Sequence, residues 1–195
     1  MNASAVVLAG GDGKRFGGNK LSQCIGEKTL LEHVLSSLAA AGFAEILVVV
    51  EKEVKIAGDV RVIVEKEHSI QAAICTGIAT ATSDRIFLTA GDMPFLSPDA
   101  ILWQLSIALY TIPVWKNGHL EPLHSVVGKN LTKFLKANTK IGETILASGA
   151  RAVPAEQFPE HEFFNVNTKE DLERAREISR TQTWRLLKWE RTSPR

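Results

Sequence analysis

Four short apolar runs rich in valine and isoleucine recur in the first half of the chain, and helical patterns separate them. They are AVVL at 5–8, ILVVV at 46–50, VRVIV at 60–64 and RIFLT at 85–89. Strands covered on both faces of a sheet read as continuous apolar runs, and parallel strands need long crossover connections. The pattern therefore predicts a buried parallel sheet whose strands alternate with helices.

Capping signals indicate where the helices begin. Thr29 and Glu32 have capping-box spacing before an apolar helical pattern that Gly42 is placed to end. A second helix is expected over about 69–81, and a third begins after Ser97. Helices are therefore expected to cross over between the strands.

The second half is less regular. We expect the following elements there: a strand at 112–115, short helices over 130–138 and 142–149, a strand at 162–166 and a final capped helix. The predicted fold class is α/β, with a three-layer, Rossmann-like, mostly parallel sheet that is mixed at one edge. One core is expected for 195 residues, as a single domain over 1–180 with a C-terminal tail over 181–195.

The composition argues against several classes of protein. The 23 Lys and Arg residues balance 22 Asp and Glu residues, so no general attraction to nucleic acid or to an anionic membrane is expected. Cys24 and Cys75 form no CxxC or Cys/His cluster, and no apolar run reaches the roughly 20 residues that span a bilayer. We therefore expect a cytoplasmic protein with neither a nucleic-acid nor a membrane partner.

The loop LAGGDGKRFGGNK at 8–20 directly follows the first apolar run. Ligands of open parallel sheets bind beyond the carboxyl ends of the strands. The glycines leave their backbone N–H groups free to approach an oxygen-rich ligand closely, and the cations supply positive charge. They are Gly10, Gly11 and Gly13, and Lys14, Arg15 and Lys20. The loop therefore predicts a polyphosphate site; the alternative is a turn with solvated cations.

Two common glycine motifs do not fit this loop. The P-loop motif needs Ser or Thr after its lysine, but Leu21 follows Lys20. The dinucleotide fingerprint fails at its third glycine, where the chain has Phe16. These mismatches argue against a P-loop NTPase and a dehydrogenase.

Asp92 lies in GDMP, just past the fourth apolar run and at the edge where the first loop emerges. A carboxylate beside a phosphate site is matched by a divalent cation between them, and Mg²⁺ is commonly held by one or two carboxylates plus substrate phosphates. The alternative is a turn in which Asp92 bonds its own backbone.

The loop at 8–20 resembles the signature of nucleotidyltransferases with a glycosyltransferase-A-like fold, and most closely that of the molybdenum cofactor guanylyltransferases. TAGDMPFL at 89–96, GHLEPLHSVV at 118–127 and FFNVNTKEDL at 163–172 resemble further motifs of that family, in the same order. The resemblance covers residues 5 to about 178. It implies a nucleotide-binding half over about 1–96 and an acceptor-binding half over about 97–180.

The resemblance also implies roles for individual residues. Arg15, Lys20 and Asp92 would be catalytic, and Asp92 and Asn167 would hold Mg²⁺, the implied cofactor. The nucleotide would contact Leu8, Ala9, Gly10, Gly11, Lys20, Glu65 and Asp92. A competing interpretation is that Asn167 or Thr168 simply caps the last helix.

Base recognition departs from the family pattern. The family has a polar residue, often Asn, after the second strand and an Asp after the third, where this chain has Glu51 and Glu65. A carboxylate can accept hydrogen bonds from the N1–H and amino group of guanine, although carboxylates are also common at strand ends. SIQAA at 69–73 replaces a glycine-rich segment, so guanine and cytosine both remain open.

The resemblance implies Mg²⁺-dependent guanylyl transfer from GTP to molybdopterin, with release of pyrophosphate. The alternatives are cytidylyl transfer to molybdopterin, nucleotidyl transfer to a sugar phosphate or cobamide precursor, and a nucleotide-binding regulatory relative. GTP and molybdopterin are the implied partners; a homo-oligomer and contact with molybdoenzyme maturation proteins stay open. We interpret His124, near Glu121, as shaping the acceptor pocket or packing in the core, since a phosphate nucleophile is already ionised.

Overall fold

The computed structural model describes residues 2–10, 16, 20–136 and 138–181. The strands in these ranges are β1 Ser4–Leu8, β2 Cys24–Ile25, β3 Lys28–Thr29, β4 Glu45–Val50, β5 Arg61–Val64, β6 Arg85–Ala90, β7 Thr111–Val114, β8 His124–Gly128 and β9 Arg151–Pro154. The helices are α1 Leu30–Ala40, α2 Ile70–Thr80, α3 Pro98–Ile107, α4 Ile141–Ala147 and α5 Lys169–Arg180. The expected tail over 181–195 lies outside the described residues except for Thr181.

Seven of these strands form one sheet, in the order β5-β4-β1-β6-β8-β7-β9. β8 is antiparallel to both of its neighbours, and the other pairs are parallel. The mostly parallel α/β sheet is thus confirmed, but the antiparallel strand lies inside the sheet rather than at one edge. The expectation was wrong on this point because the sequence interpretation assigned no strand to His124–Gly128.

Helices cover both faces of the sheet. Apolar residues of α1 and α3, such as Leu38 and Ile101, pack with one set of strand side chains, and Ile74 and Ile78 of α2 pack with the other. A Cβ atom on Gly77 of α2 would lie 2.5 Å from Val6 Cγ1, so only glycine allows this approach of α2 to β1. Three layers result, as expected.

The predicted helix starts are confirmed by their caps. Thr29 and Glu32 form the reciprocal capping box of α1, and the side chains of Ser69 and Ser97 accept hydrogen bonds at the starts of α2 and α3. Each cap satisfies backbone N–H groups that have no partner within the helix.

The second half differs from the expectation in three places. Residues 162–166 form no strand, because their backbone turns back at Phe164, whose N–H donates to His161 O. The buried residues of this segment are Glu162 and Val166, and both phenylalanines are half-buried. A 3₁₀ helix at Lys129–Lys133 replaces the longer helix expected over 130–138. β8 and β9 are additional strands. Within the described ranges, no helix combines the length and the apolar character needed to cross a membrane.

Candidate nucleotide-binding site

The first loop leaves the sheet between the ends of two neighbouring strands. Leu8 O accepts a hydrogen bond from Gly91 N at 2.9 Å, and Ala9 N donates one to Val49 O at 2.8 Å. Leu8 and Ala9 are therefore held by β6 and β4, and the exposed Gly10 follows at the carboxyl edge. This edge is where open parallel sheets bind ligands.

Lys20, Asp92 and Asn167 meet at this edge although they are far apart in the chain. Lys20 Nζ lies 2.5 Å from Asp92 Oδ2 and donates a hydrogen bond to Asn167 Oδ1 at 3.2 Å. Only 18% of the Lys20 side chain and 13% of the Asp92 side chain are exposed, so water screens this pair weakly. The structure thus brings together one ammonium group and two side-chain oxygens from three separate motifs.

An apolar cluster beneath the site explains why these three motifs meet. Phe16 from the first loop, Phe95 from the segment after Asp92, and Val166 just before Asn167 are all buried in it, together with Ile25 and Leu30. Burial of such side chains contributes about 1.5–3 kcal/mol each. Phe16, Phe95 and Val166 were not among the predicted site residues, although the sequence shows an apolar residue inside each of the three polar motifs.

The residues present fit a magnesium ion bound with a polyphosphate. Asp92 Oδ1 is buried and has no hydrogen-bond partner among the described residues, which leaves it free to ligate a cation. Asn167 Oδ1 faces the same ammonium group and could be a second oxygen ligand. No group of three or more His, Cys, Asp or Glu residues suited to a metal occurs in the described part of the chain. One carboxylate would thus depend on substrate phosphates to complete the coordination.

The competing interpretation, that Asn167 or Thr168 caps the last helix, holds for Thr168. Thr168 is the N-cap of α5, and its side chain accepts from Asp171 N while Asp171 accepts from the N–H groups of both Asn167 and Thr168. The cap therefore uses the Thr168 side chain and the Asn167 backbone, and the Asn167 side chain points to Lys20.

Two carboxylates follow the strands on the other side of β1. A Cβ atom on Gly10 would lie 3.1 Å from Glu51 Cγ, so the first loop runs directly against Glu51. Glu51 Oε2 lies 3.8 Å from Nδ1 of His68, an exposed residue in the left-handed region at φ 53°. Glu65 is buried, and its Oε1 accepts from Glu67 N at 2.5 Å. Glu51 thus lies nearer the loop, while Glu65 stabilises its own turn.

Two predicted residues, Gly11 and Arg15, lie outside the described residues. His124 is described, and it is completely buried in contact with Glu162. Because no part of the His124 side chain is exposed, it cannot line an acceptor pocket in this structure, and the interpretation that it packs in the core fits. Past the end of β7, Trp115 Nε1 donates to Glu121 Oε1 at 2.7 Å.

Comparisons with known proteins identify the family and the fold. The MobA-like NTP transferase domain family matches residues 5–161. A probable molybdenum cofactor guanylyltransferase of Thermococcus gammatolerans is 37% identical over 187 residues, which cover 86% of this chain and 95% of the relative. A nucleotidyl transferase from Methanothermobacter thermautotroptrophicus superposes with a TM-score of 0.75 at 25% identity, covering 92% of this chain and 98% of that one.

The molybdopterin-guanine dinucleotide biosynthesis protein A of Archaeoglobus fulgidus shares the fold as well. Its TM-score is 0.73 at 23% identity, with 91% of this chain and 99% of that chain covered. The sheet and the sequence relatives together define a nucleotidyltransferase. The chain belongs to the MobA-like NTP transferase domain family, which its residues match over most of their length.

Proposed function

We propose that this chain catalyses Mg²⁺-dependent guanylyl transfer from GTP to molybdopterin, with release of pyrophosphate. The observation that carries the proposal is the contact of Lys20 Nζ with both Asp92 and Asn167 at the carboxyl edge of the sheet. The names of the sequence relatives, probable molybdenum cofactor guanylyltransferases, support the choice of nucleotide and acceptor.

The transfer is a single displacement at phosphorus. An oxygen of the molybdopterin phosphate attacks the α-phosphorus of GTP, a new P–O bond forms, and the bond to the α–β bridging oxygen breaks as pyrophosphate leaves. Lys20 neutralises charge that grows on the phosphates, and Arg15, whose position is not described, is proposed to do the same. Asp92 and Asn167 would hold Mg²⁺, which when bound would supply further neutralisation of this charge.

Base selection is proposed to involve Glu51. Its carboxylate lies against Gly10, whereas one oxygen of the buried Glu65 carboxylate already accepts from Glu67 N. Guanine offers two adjacent donors, N1–H and the 2-amino group, to one carboxylate, and cytosine offers only its 4-amino group. This difference supports GTP over CTP, and cytidylyl transfer is the competing function.

Isothermal titration with GTP, CTP, ATP and UTP, each with and without Mg²⁺, tests the nucleotide. We expect GTP to bind more tightly than the other three and only GTP with Mg²⁺ and molybdopterin to release pyrophosphate. Tighter binding of CTP than of GTP would reject guanylyl transfer and favour cytidylyl transfer. Binding of GTP with no pyrophosphate release on molybdopterin would instead favour a regulatory relative.

We also propose that the protein acts in the cytoplasm. Both cysteines are free thiols, Cys24 exposed and Cys75 partly buried, and this agrees with a reducing cytoplasm. Self-association and contacts with molybdoenzyme maturation proteins stay predictions.

A further inference from the structure

A carboxylate and an imidazole are fully buried next to β6, and the proposed transfer does not use either of them. Glu162 Oε1 lies 2.8 Å from His124 Nε2, and both side chains are inaccessible to solvent. The rings of Phe87, Phe158 and Phe163 lie around the imidazole, with centroid distances of 5.0, 5.2 and 5.1 Å. Desolvation makes a polar pair costly among aromatic rings, so its hydrogen bonds must offset that cost.

The Glu162 carboxylate fixes one end of the segment that carries Asp92. Both of its oxygens accept from Ser97 N, at 3.1 and 2.9 Å. Ser97 ends the segment 92–97, and it is also the N-cap of α3. Glu162 therefore joins the start of α3 to the chain segment just before Asn167.

The other end of the 92–97 segment is held by the same stretch of chain. Val166 N donates a hydrogen bond to Asp92 O at 3.0 Å. The next residue, Asn167, accepts from the Lys20 ammonium that also contacts Asp92. Residues 162–167 thus hold the 92–97 segment at both ends and place their own oxygen ligand beside it.

His124 fixes the carboxylate in turn. It begins β8, lies opposite Thr89 of β6, and its carbonyl accepts from Gln104 Nε2 of α3 at 2.9 Å. Its Nδ1 has no hydrogen-bond partner among the described residues, so the ring proton belongs on Nε2, where it is donated to Glu162. Burial raises the pKa of the Glu162 carboxyl, and the hydrogen bonds from His124 and Ser97 oppose that rise.

We propose that Glu162, oriented by His124, is a positioning residue for the cation site: it sets the 92–97 segment so that Asp92 and Asn167 face one divalent cation. The inference rests on the proposed function, because it takes that cation to bind with the nucleotide. Neither Glu162 nor His124 touches the nucleotide, since both are fully buried. Their effect passes through the backbone of Ser97 and Asp92.

The decisive variant replaces the pair by apolar side chains of similar size, Glu162→Met with His124→Phe. Apolar side chains of similar size replace such a buried pair at little cost to the fold, apart from the Ser97 N–H that loses its acceptor. A role confined to stability would therefore lower the melting temperature and leave Mn²⁺ affinity unchanged. We expect the variant to keep its circular dichroism spectrum but to bind Mn²⁺, a paramagnetic substitute for Mg²⁺, about 10- to 100-fold more weakly with GTP. Electron paramagnetic resonance of free Mn²⁺ measures this affinity without turnover.

Glu45→Ala is the matched control. Glu45 also accepts several hydrogen bonds, from Ser4 and Thr82. It begins β4, so it lies at the amino-terminal ends of the parallel strands, opposite the carboxyl edge that carries Asp92. We expect it to lower the melting temperature and leave Mn²⁺ affinity unchanged. Equal Mn²⁺ affinity in the double variant and the wild type, or equal weakening in Glu45→Ala, would overturn the positioning role.

A conservative variant keeps the test decisive if the double variant does not fold. Glu162→Gln retains one acceptor oxygen, so we expect an Mn²⁺ affinity below that of the wild type and of Glu45→Gln. An affinity equal to that of Glu45→Gln would reject the positioning role. If the wild-type chain with GTP bound no Mn²⁺ at all, the proposed function itself would fail, which is a separate outcome.

Discussion

Lys20 links the three motifs of the candidate site. Its ammonium contacts oxygens of Asp92 and Asn167, which follow it in the chain by 72 and 147 residues. The sequence alone could place Lys20 and Asp92 at one edge, because both follow parallel strands of one sheet. It could not choose between the cap and the site for Asn167, since Asn suits both and only the side-chain direction decides.

Replacing Lys20 by methionine tests its role. We expect the rate of pyrophosphate release to fall about 10²- to 10³-fold, because a preorganised charge at the reacting phosphates is lost. The rate is measured at saturating GTP and Mg²⁺, with circular dichroism to verify folding. Lys28→Met is the control, since the Lys28 side chain is exposed and its ammonium donates to Ser36 Oγ. A Lys20→Met rate within a few-fold of the wild type would reject the assigned role.

Among the elements, the helices were more predictable than the strands of the second half. Capping residues mark helix starts within a few positions, so Thr29, Ser69 and Ser97 were readable locally. β8 and β9 were not, because short strands depend on cross-strand partners that are distant in the chain. The Phe and Val content of residues 162–166 is typical of a strand. Their hydrogen bonds instead join Val166 N to Asp92 O and the Glu162 carboxylate to Ser97 N, and no neighbouring strand pairs with them in the described structure.

Helix α5 gives a pH-dependent prediction through Asp171. Burial tends to raise the pKa of its carboxyl, but hydrogen bonds from Asn167 and Thr168 outweigh burial and lower the pKa. The ionised form is therefore favoured by folding, and its contribution is present above the unfolded pKa of about 3.9 and is lost as the pH falls through the lower folded value. Asp171→Asn should cost about 1 kcal/mol at pH 7.

Urea unfolding of Asp171→Asn and the wild type from pH 7 to pH 3 measures this contribution. The difference in the free energy of unfolding should narrow below about pH 4. Glu173→Gln on the same helix is the control, because it removes only the largely exposed pair with Arg176 and should cost little at any pH. A difference that stayed constant over this range would contradict the assigned ionisation.

At the scale of the whole molecule, one sheet runs through both proposed halves. β8 pairs with β6 over five residue positions, from Arg85 opposite Gly128 to Thr89 opposite His124. The family resemblance implied a nucleotide half followed by an acceptor half, but the sheet order places β8 against a strand of the first half. A single cooperative unit over 1–180 is therefore expected.

Cooperativity is tested with a chain that carries Trp184→Phe and Trp189→Phe. Its remaining tryptophans, Trp103 and Trp115, both lie in the second half of the sequence. We expect tryptophan fluorescence and circular dichroism to give the same urea midpoint. With Mg²⁺ present and GTP at 100 times its dissociation constant, the free energy of unfolding should rise by about 2.7 kcal/mol, and by the same amount in both measurements. Separate midpoints would show that the halves unfold independently.

The register of β8 against β6 also shows where a label could be coupled far from Asp92. Its first residue, His124, lies at the rim of the sheet that carries Asp92, and its last, Gly128, lies opposite Arg85 at the far rim. Asp84 precedes Arg85 there, with 91% of its side chain exposed. A fluorophore or a surface tether coupled at position 84 would therefore leave the rim that carries Asp92 facing away from the support.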